Sequence, residues 1–468
     1  MIFPTLPKLA RCRLPAVLLP LLIAPMTEAT SVSPSRQVDI HTKLSQTRFV
    51  QNDANTVFLD VVISAPSLPD VGMQPRATDM IIVLDRSGSM SEDNKMPYAK
   101  AAVWDIIGRL NDRDRFALVS FADNAIMQSP LVTVNAANKG TLNNMVSQVV
   151  PSGSTNMSDG LNTALQLLEH SAGEGARKIV LLSDGQANQG ITDPELLGQM
   201  ASRMAQRGAV LSTIGMGLGF NESLMAKLAD QGMGHYAYLE DLSGLGNILN
   251  RDLNETRQIY ASSSTLEIHL AGGVRLVDAS GYPVNTLNAS TLSIPTGQLL
   301  AGSAKHFVMT FSIPNAKVGT LALGDMKLNY SVQGTTQQTP LDQALLKLAI
   351  VAPELRQEAL QSIDKDVYQQ SWLENNLGLA KKKISDLVRS GNKPAAKQAI
   401  SDYRKEVKAA EAVASVPLAD SKMDENLKKL EAEVDEAFLG SSAEQDVKRN
   451  RAAKSMQYES IKDQRKSK

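Results

Sequence analysis

The chain has 468 residues, length for roughly two to four domains, and its 43% apolar and 21% charged residues are the balance of an ordinary globular protein with a sizeable core. Lysine plus arginine number 48 against 49 for aspartate plus glutamate, so the overall charge gives no ground for nucleic acid or an anionic membrane as partner. The single cysteine, Cys12, precedes an apolar N-terminal stretch; once that stretch is removed, a disulfide scaffold, a cysteine zinc site and thiol catalysis are all excluded.

In chain order, Lys8, Arg11 and Arg13 precede LPAVLLPLLIAP, and the small polar segment MTEATSVSPS follows. This pattern predicts a secretory signal peptide over residues 1–29, cut near Ala29, with a retained anchor as the alternative. The apolar core spans only about a dozen residues and carries Pro15 and Pro20, short of the roughly 20 a spanning helix needs. The expected address is therefore periplasmic or secreted, with membrane contact only peripheral or through a retained signal.

Residues 37–66 contain one β-rich run, TVFLDVVI, and a Pro-containing linker, PSLPDVGMQPRATD, follows. Over 78–258 short apolar runs (MIIVLD, RFALVSFA, KIVLLSD, AVLSTIGMG, HYAYLE) alternate with helical spacings such as Met96, Ala99, Val103, Ile106, Ile107 and Leu110. That alternation predicts a doubly wound α/β domain, Rossmann-like, with a mostly parallel sheet covered by helices on both faces.

From 262 to 335 the runs STLEIHL, GVRLVDA, KHFVMTFSI and MKLNYSVQ, separated by Gly, Pro and Asn, predict a small β-sandwich. The strand in 37–66 needs a sheet to join, so the α/β unit is expected to sit between two halves of one β domain. Residues 341–440 read as a helical region. Within it Met423, Leu427, Leu430 and Val434 form a stripe with spacings of 4, 3 and 4, suited to a helical hairpin packed on the chain or to a coiled-coil partner site. The tail 441–468 has eight basic and four acidic residues and little apolar periodicity, and is expected to be disordered.

Asp85 ends the first strand of the α/β unit and opens DRSGSM, and ligands in open parallel sheets bind beyond the carboxyl ends of the strands. The loop PSGSTNMSDG and the end of KIVLLSDG should reach the same edge. Together they offer Asp85, Ser87, Ser89, Thr155 and Asp184, all oxygen donors. Such a set suits a hard divalent cation, Mg²⁺ first and Mn²⁺ or Ca²⁺ next, and leaves at least one of roughly six coordination positions for water or an outside ligand. A lone Asp-x-Ser-x-Ser is usually a structural turn; three matched loops are a stronger signal.

DRSGSM, GSTN and LLSDG, in this order, resemble the metal-ion-dependent adhesion site of von Willebrand factor A domains, over roughly residues 78–258. The resemblance implies that Ser87, Ser89 and, depending on the state of the site, Thr155 bind the ion directly, that Asp85 and Asp184 act directly or through water, and that an acidic group of a protein partner completes the shell. The whole layout is similar to exported bacterial A-domain proteins. The primary reading is a metal-dependent protein-binding module, not an enzyme. A metal-assisted hydrolase and an envelope assembly factor are the alternatives. The five histidines, His41, His170, His235, His269 and His306, fall in separate segments with no H-E-x-x-H, and neither G-x-S-x-G nor a Walker motif is present.

Overall fold

The computed structural model describes residues 37–53, 55–67, 76–170, 175–314, 316–415, 417–418 and 421–467, so the signal peptide expected over 1–29 lies outside the described residues. The chain begins with β1 (Asp39–Leu44), β2 (Arg48–Val50) and β3 (Asn55–Ser64). An α/β unit follows: β4 (Thr78–Asp85), α1 (Lys95–Arg109), β5 (Arg115–Phe121), β6 (Ala125–Thr133), α2 (Lys139–Ser147), α3 (Met157–Glu169), β7 (Ala176–Ser183), α4 (Pro194–Gln206), β8 (Ala209–Met216), α5 (Glu222–Gln231), β9 (Met233–Leu239) and α6 (Leu245–Arg257).

The sheet order is β6-β5-β4-β7-β8-β9, parallel throughout except for the antiparallel edge pair β5–β6. Strand β4 is central, paired to β5 on one side and β7 on the other, and every one of its residues is buried. Its alternating side chains serve two cores: Ile82 and Leu84 pack with Val103 and Ile106 of α1, while Ile81 and Val83 pack with Leu161 of α3 and Leu197 of α4. This is why MIIVL is apolar without interruption. The connections leave β4 in opposite directions, which opens a crevice at its carboxyl end.

A second β region comprises β10 (Ile259–Ala261), β11 (Ser263–Leu270), β12 (Arg275–Ala279), β13 (Asn285–Thr286), β14 (Thr291–Pro295), β15 (Leu299–Leu300), β16 (Ala304–Ile313), β17 (Gly319–Ala322), β18 (Gly324–Val332), β19 (Thr335–Pro340) and β20 (Lys347–Val351). Strand β3 pairs antiparallel with β16 along its whole length, and β1 adds to the other side of β3. This sheet faces a second one, β13-β14-β11-β18-β19. Val57, Leu59, Val61, Phe307 and Phe311 from one layer meet Leu266, Ile268, Leu328 and Tyr330 from the other.

The rest is α7 (Arg356–Gln361), α8 (Lys365–Arg389), α9 (Lys393–Ala414), α10 (Ser421–Glu436), α11 (Ser442–Gln464) and the short β21 (Lys466–Ser467). Phe58 and Val308, on the outer face of β3 and β16, join Trp372, Ile384, Tyr403 and Leu427 in a further core. The stripe Met423, Leu427, Leu430 and Val434 is buried there, inside the chain. Among the described residues no helix is long and apolar enough to cross a membrane.

Two expectations are corrected. The region from 341 does not begin as helix: KLAIV forms β20, antiparallel to β17 and parallel to β2, because a short apolar run with two sheet partners satisfies its backbone there. The tail expected to be disordered is the helix α11. Ser441 and Glu444 make a capping box at its start. Its buried face is small or polar apart from Met456 (Ala453, Lys454, Gln457, Ser460 and Gln464 are the rest), so no apolar stripe marks it. Ser460 Oγ donates to Gly378 O at 2.7 Å, and Ser385 Oγ of α8 donates to Ala453 O at 2.7 Å. Small side chains let the two helices approach closely.

Candidate metal centre

Three loops meet at the carboxyl end of β4. The first, after Asp85, is fixed locally: Ser87 N donates to Asp85 Oδ1 at 2.8 Å, and a 3-10 turn follows over Gly88–Ser91. It is held to its neighbours by Arg86 N donating to Phe121 O at 2.8 Å and Gly88 N to Gly153 O at 3.0 Å. The second loop is clasped by the third: Thr155 N donates to Asn188 Oδ1 at 2.8 Å and Asn188 N returns a bond to Thr155 O at 3.1 Å. Backbone bonds thus lock the loops before any ligand is considered.

The five side chains come together at this edge. Asp85, Ser87, Thr155 and Asp184 are buried and Ser89 is half-buried. A chain of contacts links three of them: Ser87 Oγ lies 3.2 Å from Ser89 Oγ, and Ser89 Oγ donates to Asp184 Oδ1 at 2.9 Å. Gly185 joins the remaining two, since a Cβ placed there would lie 3.0 Å from Thr155 Oγ1 and 3.6 Å from Asp85 Oδ2. A glycine at this point keeps the space between hydroxyl and carboxylate clear.

Asp85 is completely buried, and its Oδ2 accepts from Ser183 Oγ at 2.6 Å. Burial pushes its carboxyl up to about 6 against the pull of the Ser183 and Ser87 hydrogen bonds, and the like charge of Asp184 adds to the rise. Among the described residues no salt bridge offsets this carboxylate. A buried carboxylate held only by neutral donors is a place where a cation is stabilised.

Sequence reasoning missed Lys95. Its ammonium lies 2.8 Å from Asp184 Oδ2 and donates to Ser89 O at 3.2 Å; the side chain is 6% exposed, and that of Asp184 is fully buried. Lys95 begins α1, where the helix dipole disfavours a cation, so its partner Asp184 must offset that cost. Ser183 and Asn188 were also missed. Their roles depend on contacts 98 and 33 residues away in sequence, and no local spacing marks them.

Beside the cluster is a depression of about 640 Å³ bordered by Ser89, Glu92, Lys95, Asp184, Leu218 and Arg451. Arg451 comes from α11 and pairs with Glu240, so the C-terminal helix forms part of the wall. Asn450 Nδ2 reaches Leu218 O at 3.4 Å from the same helix.

The residues fit a hard divalent cation by two observations. The donor set is oxygen only, and a cation, the Lys95 ammonium, already sits against one of its two carboxylates.

A mostly parallel sheet wrapped by helices, with such loops at its switch point, defines a von Willebrand factor type A domain, and residues 79–251 match the family model of that name. Domains of this family generally mediate protein–protein interaction and commonly bind a divalent metal at this edge. Among relatives, the chain is 27% identical over 243 residues to the uncharacterized protein YfbK of Escherichia coli (strain K12), covering 51% of this chain and 42% of that one. It is 30% identical over 199 residues to human inter-alpha-trypsin inhibitor heavy chain H4, covering 40% and 20%. The matched region spans less than half the length of these curated relatives.

Solved structures share the architecture well beyond the domain. A von Willebrand factor type A structure from Catenulispora acidiphila superposes with a TM-score of 0.67 at 15% identity, covering 92% of this chain and 97% of that one. The ArnB paralog VWA2 from Sulfolobus acidocaldarius gives 0.51 at 16% identity, covering 90% and 98%. At such identities the likeness is one of fold.

Proposed function

We propose that the chain is a divalent-metal-dependent binding module that captures an acidic group of a protein partner at the edge formed by Asp85, Ser87, Ser89, Thr155 and Asp184. The observation that carries this is the convergence of five oxygen-bearing side chains from three loops, linked through the contacts of Ser87, Ser89 and Asp184. Mg²⁺, with Mn²⁺ or Ca²⁺ as alternatives, supplies a Lewis-acid position that the partner's carboxylate completes. Ser87 and Ser89 present neutral donors, and Thr155 is held in place by Asn188. Asp85 and Asp184 provide the negative charge that retains the ion.

Lys95 sets the charge balance. With its ammonium against Asp184, the two carboxylates carry a single net negative charge, so the loaded site keeps one positive charge in surplus. That surplus favours an anionic partner group over water. We also place the protein outside the cytoplasm, periplasmic or secreted, on the basic and apolar pattern of residues 1–29.

Affinity capture from the envelope fraction of the source cell tests the function, using wild type and Asp184→Ala, each with and without chelator. The reading expects a partner retained only by wild type with metal. Equal retention in all four arms contradicts metal-bridged capture.

A further inference from the structure

A second cavity, of about 380 Å³, opens where three parts of the chain meet: β9 and α6 of the α/β unit, the β-sandwich, and α11. Its walls are unusually cationic. Arg251 comes from α6, Lys305 from β16, and Lys462 and Arg465 from α11; the facing carboxylates are Asp230 and Glu255. Asp230 is already consumed, since Arg465 grips it through two bonds of 2.5 and 3.0 Å. Glu255 lies 3.5 Å from His235 and 3.8 Å from Arg251. His235 is kept neutral by burial and by the charge of Lys178, its pKa lowered to about 3.

Among the described residues, Lys305 lacks a carboxylate partner. Its Nζ donates to Thr296 O, and no ion pair with a carboxylate accompanies it among the described residues. Burial and the charge of Arg465 lower its pKa to about 8, against the smaller opposing effect of Asp230 and Glu255. Tyr236 also lines the cavity, with its ring edge-on to Tyr458 at 5.8 Å. An ammonium that lines a polar cavity and has no ion-pair partner is a donor for an outside acceptor.

We propose that this junction cavity binds a small organic or inorganic oxyanion, a carboxylate or a phosphate, through Lys305, with Arg251 and Lys462 at its mouth. The volume suits a small ligand, and the surplus of two positive charges over the two carboxylates sets its sign. The site is separate from the metal centre and does not rest on the binding-module reading. Because α11 supplies part of the wall, an anion here ties the C-terminal helix to both other parts.

The test is calorimetric titration and thermal scanning of the full chain with inorganic phosphate and with citrate, at constant ionic strength. Wild type, Lys305→Met, Arg251→Gln and Asp184→Ala are compared, with circular dichroism as the folding check. The expected result is saturable binding of at least one probe that raises Tm, falls at least tenfold in Lys305→Met and is unchanged in Asp184→Ala. Binding of phosphate alone or citrate alone assigns the class of oxyanion. A Tm rise no larger than chloride gives, or binding undiminished in folded Lys305→Met, overturns the proposal. Should Lys305→Met fail to fold, Arg251→Gln decides: a drop in affinity supports the site and unchanged affinity overturns it.

Discussion

Lys95 Nζ and Asp184 Oδ2 lie 2.8 Å apart at the edge of the sheet, a buried ion pair joining the first turn of α1 to the loop after β7. The pair makes the centre less acidic than its ligands alone would be. Lys95→Met keeps the apolar stem and removes the charge. Two unit charges at 4 Å attract by about 4 kcal/mol at an effective dielectric near 20, an upper figure for so polar a site. Mg²⁺ affinity in Lys95→Met is therefore expected to rise about tenfold or more, while capture of an acidic peptide by the loaded protein falls. Calorimetry with the metal alone and then with the peptide reads both; a change of the same sign in both contradicts this role for Lys95.

The loop between β8 and α5 presses on the centre from the other side. A Cβ on Gly219 would lie 2.6 Å from Asp184 O, a backbone atom that cannot yield without moving Asp184. Gly219→Ala is expected to cost about 1–3 kcal/mol of stability, as overpacking does, and to weaken metal binding. Denaturant unfolding and metal titration check the two parts; unchanged metal affinity shows that Asp184 tolerates the displacement.

The helix α11 is bound to the α/β unit through Lys454. Its buried ammonium lies 3.1 Å from Glu222, donates to Phe220 O at 2.7 Å and sits 4.0 Å above the Phe220 ring. Glu222 keeps a second partner, Arg389, at 2.5 Å, so removing Lys454 does not leave that carboxylate alone. Lys454→Met is expected to destabilise by about 1–3 kcal/mol, less than a fully orphaned buried charge costs. Native-state hydrogen exchange should show amides around Ala453 to Ser460 protected alongside α8 in wild type and less so in the variant. Exchange of these amides at unfolded-chain rates in wild type contradicts the packing of α11.

The fold class was legible because its signals are local. Strand β4 reads as a buried central strand from its unbroken apolarity, and α1 reads as a helix from the spacing of Met96, Ala99, Val103 and Ile106. Strand β6 was not legible: AIMQSPLVT is half-exposed, carries Pro130 and pairs with shifted register, all marks of an edge strand that dilute the alternation. The helix α11 hid because mostly polar and small residues fill its buried face, and β20 because four apolar residues in a row fit either state.

At the centre, Asp85 and Asp184 were readable as strand-end carboxylates, and Ser87 and Ser89 by their spacing. Lys95 was not readable, because its significance lies in a contact 89 residues away. Nor was the Asn188 clasp on Thr155, which is made by the tertiary fold.

The most direct measurement is calorimetric titration of wild type, Asp85→Ala and Asp184→Ala with Mg²⁺ and with Mn²⁺, with circular dichroism to establish folding. One divalent ion bound per wild-type chain, with affinity reduced about a hundredfold or more (about 2.8 kcal/mol) in both folded variants, is the result expected. Wild type that binds neither ion, or variants that bind as tightly as wild type, would contradict a metal centre at these three loops.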